Sequence, residues 1–173
     1  TPRQVELPKV KDSSWPADSV DRFVLRKLEA EKLRPAEPAN DRVWLRRVYF
    51  AITGLPPKTE DIQTFLDDKS ENRKRTLVRA LLDSPHYGER WARHWMDLVR
   101  YAESRGHEGD SIVPNAYRYR DYLIRAFNAD LAYDALVTEH LAGDLLESPR
   151  LHPETGANES ILATGWPFFG EML

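Results

Sequence analysis

The sequence predicts an all-α fold, an irregular or orthogonal array of about seven helices. Three observations predict it. Apolar residues recur at i, i+3 and i+4 in one segment after another, no period-2 alternation lasts beyond a few residues, and Gly, Pro, Asn, Asp or Ser punctuates the intervals. No internal repeat is visible, so a symmetric bundle is not expected. At 173 residues, 41% hydrophobic and 31% charged, the chain is long enough to bury a core and too apolar to stay disordered.

Taken in order, residues 1–16, with Pro2, Pro8 and Pro16, read as an extended linker, and residues 17–173 as a single helical domain. Asp18 can cap a first helix with Val20, Phe23, Val24, Leu28 and Leu33 inward, stopped by Pro35 and Pro38. Asn40 can cap a second helix carrying Val43, Trp44, Arg47, Val48 and Phe50, stopped by Gly54, Pro56 and Pro57. Thr59 can cap a short third with Ile62, Phe65 and Leu66, and Glu71 to Leu82 gives a fourth with Leu77, Val78, Leu81 and Leu82 inward. After the break at Ser84-Pro85, a fifth is expected from about Tyr87 to Ala102, a sixth from about Pro114 to Asn128 and a seventh from about Tyr133 to Gly143.

Composition excludes several functions. A formal net charge of −3, with arginines interleaved among Asp and Glu, offers no field for a polyanion, so no nucleic-acid partner is expected. The absence of Cys removes disulfides, thiolate metal sites, a cysteine nucleophile and C-x-x-C-H haem attachment within these residues. No apolar run approaches the roughly 20 residues that cross a bilayer, and the chain is expected to be soluble. Its start at Thr1-Pro2, without Met or a signal sequence, reads as a processed or excised piece. Phosphate-loop, dinucleotide, nucleophile-elbow, zincin and paired Glu-x-x-His patterns are all missing.

What is left for chemistry is the segment from His86 to Asp144. On the fifth helix Trp91, Trp95, Leu98 and Ala102 form one stripe, expected in the core, and Arg90, His94, Asp97 and Tyr101 a second beside it. His94 one turn from Asp97 is an arrangement that orients a general base, although a bland reading has Asp97 and Arg90 simply satisfying the ring. Glu89 and Arg93 read as an exposed i, i+4 pair. The loop from Glu103 to Asp110 follows, with three acidic side chains, His107 and two glycines. On the sixth helix Arg118, Asp121 and Arg125 read as an ion-pair ladder. Arg120, among Leu123, Ile124 and Phe127, must either snorkel out to water or meet a buried carboxylate, with Asp97 and Glu103 as candidates. On the seventh, Leu136, His140 and Asp144 share a side, and Gly143 gives room for close approach or a C-cap. Convergence of His94, Asp97, His140 and Asp144 would make a metal or acid-base centre. The candidate catalytic set is His94, Asp97, Glu103 and Arg120, with no metal site assigned.

The strings Ser84 to Leu98 (SPHYGERWARHWMDL) and Pro114 to Tyr122 (PNAYRYRDY) resemble a planctomycete cytochrome c-associated domain of unknown function. The likeness extends to Trp15-Pro16, Val20 to Val24, Thr53 to Pro57, Leu141 to Leu146 and Ala163 to Gly165. His140, where that family more often has Gln, and Arg105-Gly106-His107, in place of a commoner Asn-Gly-Tyr, depart from the pattern. The resemblance implies an exported, periplasmic multidomain protein with a c-type cytochrome-like domain upstream. It also implies a chain truncated before a C-x-x-C-H motif, so that no cofactor lies within these residues and any haem c is held by flanking sequence. The function it implies is an accessory domain that supports or docks an electron-transfer centre. The residues alone leave two alternatives: an enzyme acting on carbohydrate or another small substrate through a His/Asp-based site, and a metal-stabilised structural module.

Overall fold

The computed structural model describes residues 5–106 and 109–169. Among the described residues the protein is all-α, with eight α-helices, one 3-10 turn at Trp166–Phe168 and no strand; two isolated bridges pair Ser104 with Ile112 and Leu151 with Asn158. None of these helices is long and apolar enough to cross a membrane. The chain divides into two compact units, residues 1–40 and 41–173.

The first unit holds α1, Ser19–Ala30. Asp18 caps it as expected, its carboxylate accepting from the Val20 and Asp21 amides at 2.8 and 3.0 Å. The expected inward face is corrected: Leu25 is buried, whereas Val20, Phe23, Val24 and Leu33 are exposed. The described part of the Pro-punctuated lead-in folds back within this unit, where the Lys11 and Asp12 amides donate to the Glu29 carboxylate. Residues 1–4 of that lead-in lie outside the described residues.

The second unit begins with α2 (Asp41–Ile52), α3 (Thr59–Asp67) and α4 (Arg73–Leu82). Leu45, Phe65 and Leu81 are its buried apolar residues here, Trp44 stacks on Phe65, and Arg73 pairs with Asp41. Leu82, expected inward, is exposed. The α2–α3 turn needs Gly54 twice over: its φ is +72°, and an added Cβ would lie 2.8 Å from the Arg90 side chain that crosses it.

Next come α5 (Pro85–Leu98), α6 (Ala116–Asn128), α7 (Tyr133–Ala142) and the single-turn α8 (Ser160–Ala163). Ser84-Pro85, expected only to end a helix, also starts one, with Ser84 accepting from the His86 amide and Pro85 in the first turn. α5 ends four residues before the expected Ala102, where Arg100 turns left-handed (φ +56°) and the Tyr101 amide closes on Met96. The core joins Ala92 of α5 to Tyr119, Tyr122, Leu123 and Ala126 of α6, Leu136 of α7 and Ala163 of α8.

The expected core stripe of α5 is corrected by about one residue of rotation. Ala92 is fully buried and Trp95, Met96 and Val99 pack on the core, while Trp91 and Leu98 are 38% and 76% exposed. The reason is backbone proximity. A Cβ on Gly88 would meet the Ile124 carbonyl at 2.4 Å and Asn128 at 2.6 Å, so small residues form the seam with α6 and the large Trp91 is turned outward. Hydrophobicity alone ranks Trp above Gly and Ala and so points the helix the wrong way.

Candidate functional site

The densest polar cluster lies where α6, α7 and the segment into α8 meet. α7 turns Tyr133, Asp134, Thr138 and Leu141 to solvent and Leu136 inward, and Glu139 and His140 lie on that inward side, 4% and 7% exposed. Burial of an unpartnered charge costs several kcal/mol, so the neighbours must supply partners.

They do so for Glu139. Its Oε2 accepts from the Tyr122 hydroxyl at 2.6 Å and Arg150 Nη2 at 3.0 Å, and its Oε1 from the Ser160 hydroxyl at 2.9 Å and Arg150 Nε at 3.2 Å. Arg150 Nη1 reaches on to Oε2 of Glu159, whose Oε1 takes Nε and Nη2 of Arg125. Glu159 is 1% exposed and Ser160 wholly buried. Burial pushes the Glu139 carboxyl up, but the hydrogen bonds from Arg150, Tyr122 and Ser160 outweigh it and hold the group below its usual range. Burial, reinforced by Glu139, pushes the Tyr122 phenol up, so it stays a donor. The result is a relay of alternating sign, Arg125, Glu159, Arg150, Glu139, with two hydroxyls closing one end.

His140 is occupied just as fully. Nδ1 donates to the Leu136 carbonyl at 2.7 Å, leaving Nε2 to accept from the Tyr119 hydroxyl at 2.8 Å and the Trp95 indole at 3.0 Å. Burial lowers its pKa, opposed by the Leu136 hydrogen bond and the Glu139 charge, so the ring is held neutral. Trp166 donates to the His140 carbonyl. Close seating of α8 depends on Gly143, where a Cβ would stand 2.0 Å from the Ser160 carbonyl. This is the close approach read from the sequence, and Gly143 also closes the helix, its amide bonding the Glu139 carbonyl.

The residues singled out in the sequence are only partly brought together. Arg120 meets Glu103, Nη1 to Oε1 at 2.8 Å, and also Asp121 at 3.1 Å; Asp97 is not its partner. The Tyr101 hydroxyl donates to the same Glu103 oxygen, while its ring stacks on Tyr119 and Phe169. His94 and Asp97 stand exposed on α5 with no bond between them. Asp97 pairs with Arg93 and Glu89 with His86, replacing the expected Glu89–Arg93 pair. The expected Arg118–Asp121–Arg125 ladder is corrected too: Asp121 takes Arg120 and Arg125 turns inward to Glu159. In the Glu103 to Asp110 loop, Asp110 accepts from the Gly106 amide, while His107 and Glu108 lie outside the described residues. His94, Asp97, His140 and Asp144 do not converge: His140 is buried with both ring nitrogens bonded, whereas the other three are exposed. Among the described residues no group of three or more His, Asp or Glu could hold a metal ion.

Cavities open elsewhere. One of about 300 Å³ lies among α2, α3 and α4, where the Tyr49 phenol is pushed up to about 12 by burial and by Asp61. Another of about 360 Å³ lies beside Asn115, Tyr119 and Phe169, and one of about 630 Å³ beside Arg118 and His152. Neither His94 nor Asp97 lines any of them.

Sequence reasoning missed Glu139, Arg150, Glu159 and Ser160. The available signal was Glu139 beside His140, three and four residues after Leu136 on one side of α7. Its partners had none, since Arg150 lies outside regular structure, Ser160 opens a one-turn helix and Glu159 precedes it.

Compared with known proteins, the chain matches the family model described as PSCyt2, protein of unknown function (DUF1549), over residues 19–171. No curated protein and no solved structure matches it.

Proposed function

The chain belongs to the PSCyt2 family of unknown function, and on that premise we propose that it is a non-catalytic accessory domain that docks an electron-transfer domain of the same polypeptide. The carrying observation is the outer face of α5. Tyr87, Trp91, His94 and Leu98 fall one above another at helical spacing, Tyr87 and His94 flank Trp91 at ring separations of 6.0 and 5.3 Å, and Leu98 is 76% exposed. A contiguous aromatic and apolar stripe with a polar rim is the surface expected of a contact site, because leaving it in water costs free energy that a partner recovers. In this reading His94 belongs to the docking face and not to a reaction centre.

The buried polar residues support the same reading. Glu139, Glu159 and His140 have every strong hydrogen-bonding site occupied from within the fold, so they hold helices together and leave no group free to act on a substrate. The resemblance to cytochrome-associated domains supplies the class of partner, a c-type cytochrome-like domain in an exported protein. Longer protein, made with cytochrome maturation, is expected to show a Soret band that responds to reductant. A spectrum without that band, despite successful maturation of a control cytochrome, would remove the electron-transfer part of the proposal.

A further inference from the structure

Between α6 and the loop running into α8 lies a groove of about 630 Å³, within the roughly 300–1,000 Å³ typical of small-molecule sites. Its floor is the Arg125–Glu159 ion pair, closed internally. Its walls have a different character, because the acceptors of His152, Thr155 and Asn158 are already taken by backbone amides. His152 Nδ1 accepts the Glu154 and Thr155 amides at 3.2 and 3.3 Å, and a backbone amide can only donate, so the ring proton must sit on Nε2, which has no partner among the described residues. Asn158 Oδ1 accepts the Ile161 amide at 3.1 Å and Thr155 Oγ1 the Ala157 amide at 3.3 Å, and among the described residues the Asn158 NH2 and the Thr155 hydroxyl proton have no acceptor. Arg118 lines the same groove, exposed and with no carboxylate partner among the described residues. The opposing acceptor is Asp121, and one of its oxygens already takes Arg120.

We propose that this groove binds a small ligand through an oxyanion group, carboxylate or phosphate, held by Arg118 and by the donors of His152, Asn158 and Thr155. Four donors lining one groove, one of them a guanidinium, suit a group with two or three acceptor oxygens. A neutral polyol would leave the guanidinium charge unanswered.

The test is an NMR titration of the full chain with inorganic phosphate and, separately, with galacturonate, using galactose as the uncharged control. The side-chain resonances of Arg118 and His152 are expected to shift saturably with at least one anion at low millimolar concentration and not with galactose. Phosphate alone would assign a phosphate-type ligand, and galacturonate alone a carboxylated sugar. Arg118→Gln, an exposed change that leaves the circular dichroism spectrum intact, is expected to weaken binding by about tenfold, the loss of one charge-assisted hydrogen bond. No saturable shift with either anion up to about 10 mM, an equal response to galactose, or unchanged affinity in Arg118→Gln would overturn the assignment.

Discussion

Arg150 is the residue on which the buried charge relay turns, and replacing it with Met isolates what the relay contributes. Arg150→Met keeps most of the stem that reaches between Glu139 and Glu159 and removes three hydrogen bonds to their carboxylates. Glu139 would retain the Tyr122 and Ser160 hydroxyls but no cation, and Glu159 would retain Arg125. Removing one partner of a buried pair costs about 3–5 kcal/mol. Because Arg150 is 25% exposed and both carboxylates keep some donors, the lower end applies, about 3 kcal/mol. For a chain of this size that lowers the melting temperature by about 6–12 °C. Urea denaturation of the full chain gives the free energy, and calorimetry the melting shift. The double variant with Glu139→Gln should recover about 1–2 kcal/mol relative to additivity, since the charge left unpaired is gone. A single-variant loss below about 0.5 kcal/mol, or strict additivity in the double, would refute the claim that this relay holds α7 and α8 in place.

Two further outcomes follow from the same core. The folded-state pKa of His140 lies below its ordinary 6.5, so as pH falls through that value the unfolded chain takes up the proton first and stability declines. Glu139 has a folded pKa below its ordinary 4.5, so its contribution is fully present above that value and is lost as pH falls further. Urea midpoints measured from pH 8 to 3 should therefore fall in two stages, and His140→Gln should remove the upper one; a wild-type midpoint flat from pH 7 to 5 would contradict the neutral ring. Gly143→Ala sits at helical φ, where Ala ordinarily gains about 1 kcal/mol, yet its methyl would collide with the Ser160 backbone. Overpacking of about 1–3 kcal/mol should win, giving net destabilisation in urea, and a stabilised variant would show that α8 is not seated as described.

Element by element, the helices were legible because their signals are local. Asp18, Ser84-Pro85 and the 3.6-residue period act within a turn or two, and all seven expected helices exist with ends shifted by a few residues. The orientation of each helix was less legible. On α5 hydrophobicity favours the stripe with the largest side chains as core, but Gly88 and Ala92 mark the true seam, because the approach of α6 is limited by backbone. On α1 the same preference for bulk picked Val20, Phe23 and Val24 over the buried Leu25. The polar centre was the least legible part. Glu103 is one of the two partners the sequence offers Arg120, but Arg150 and Ser160 reach Glu139 across 11 and 21 residues, and Glu159 joins only through Arg150, separations at which pattern carries no information.

The proposed docking of the exposed face of α5 on a haem-bearing domain of the same polypeptide can be read by paramagnetic broadening: amide resonances of this domain recorded in the longer protein with its haem oxidised and then reduced. Selective broadening is expected around Tyr87, Trp91, His94 and Leu98 in the oxidised state, lost in a Trp91→Ala/Leu98→Ser variant that keeps its fold. Resonances of α5 that do not respond to the oxidation state, in a protein shown to contain the haem, would contradict it.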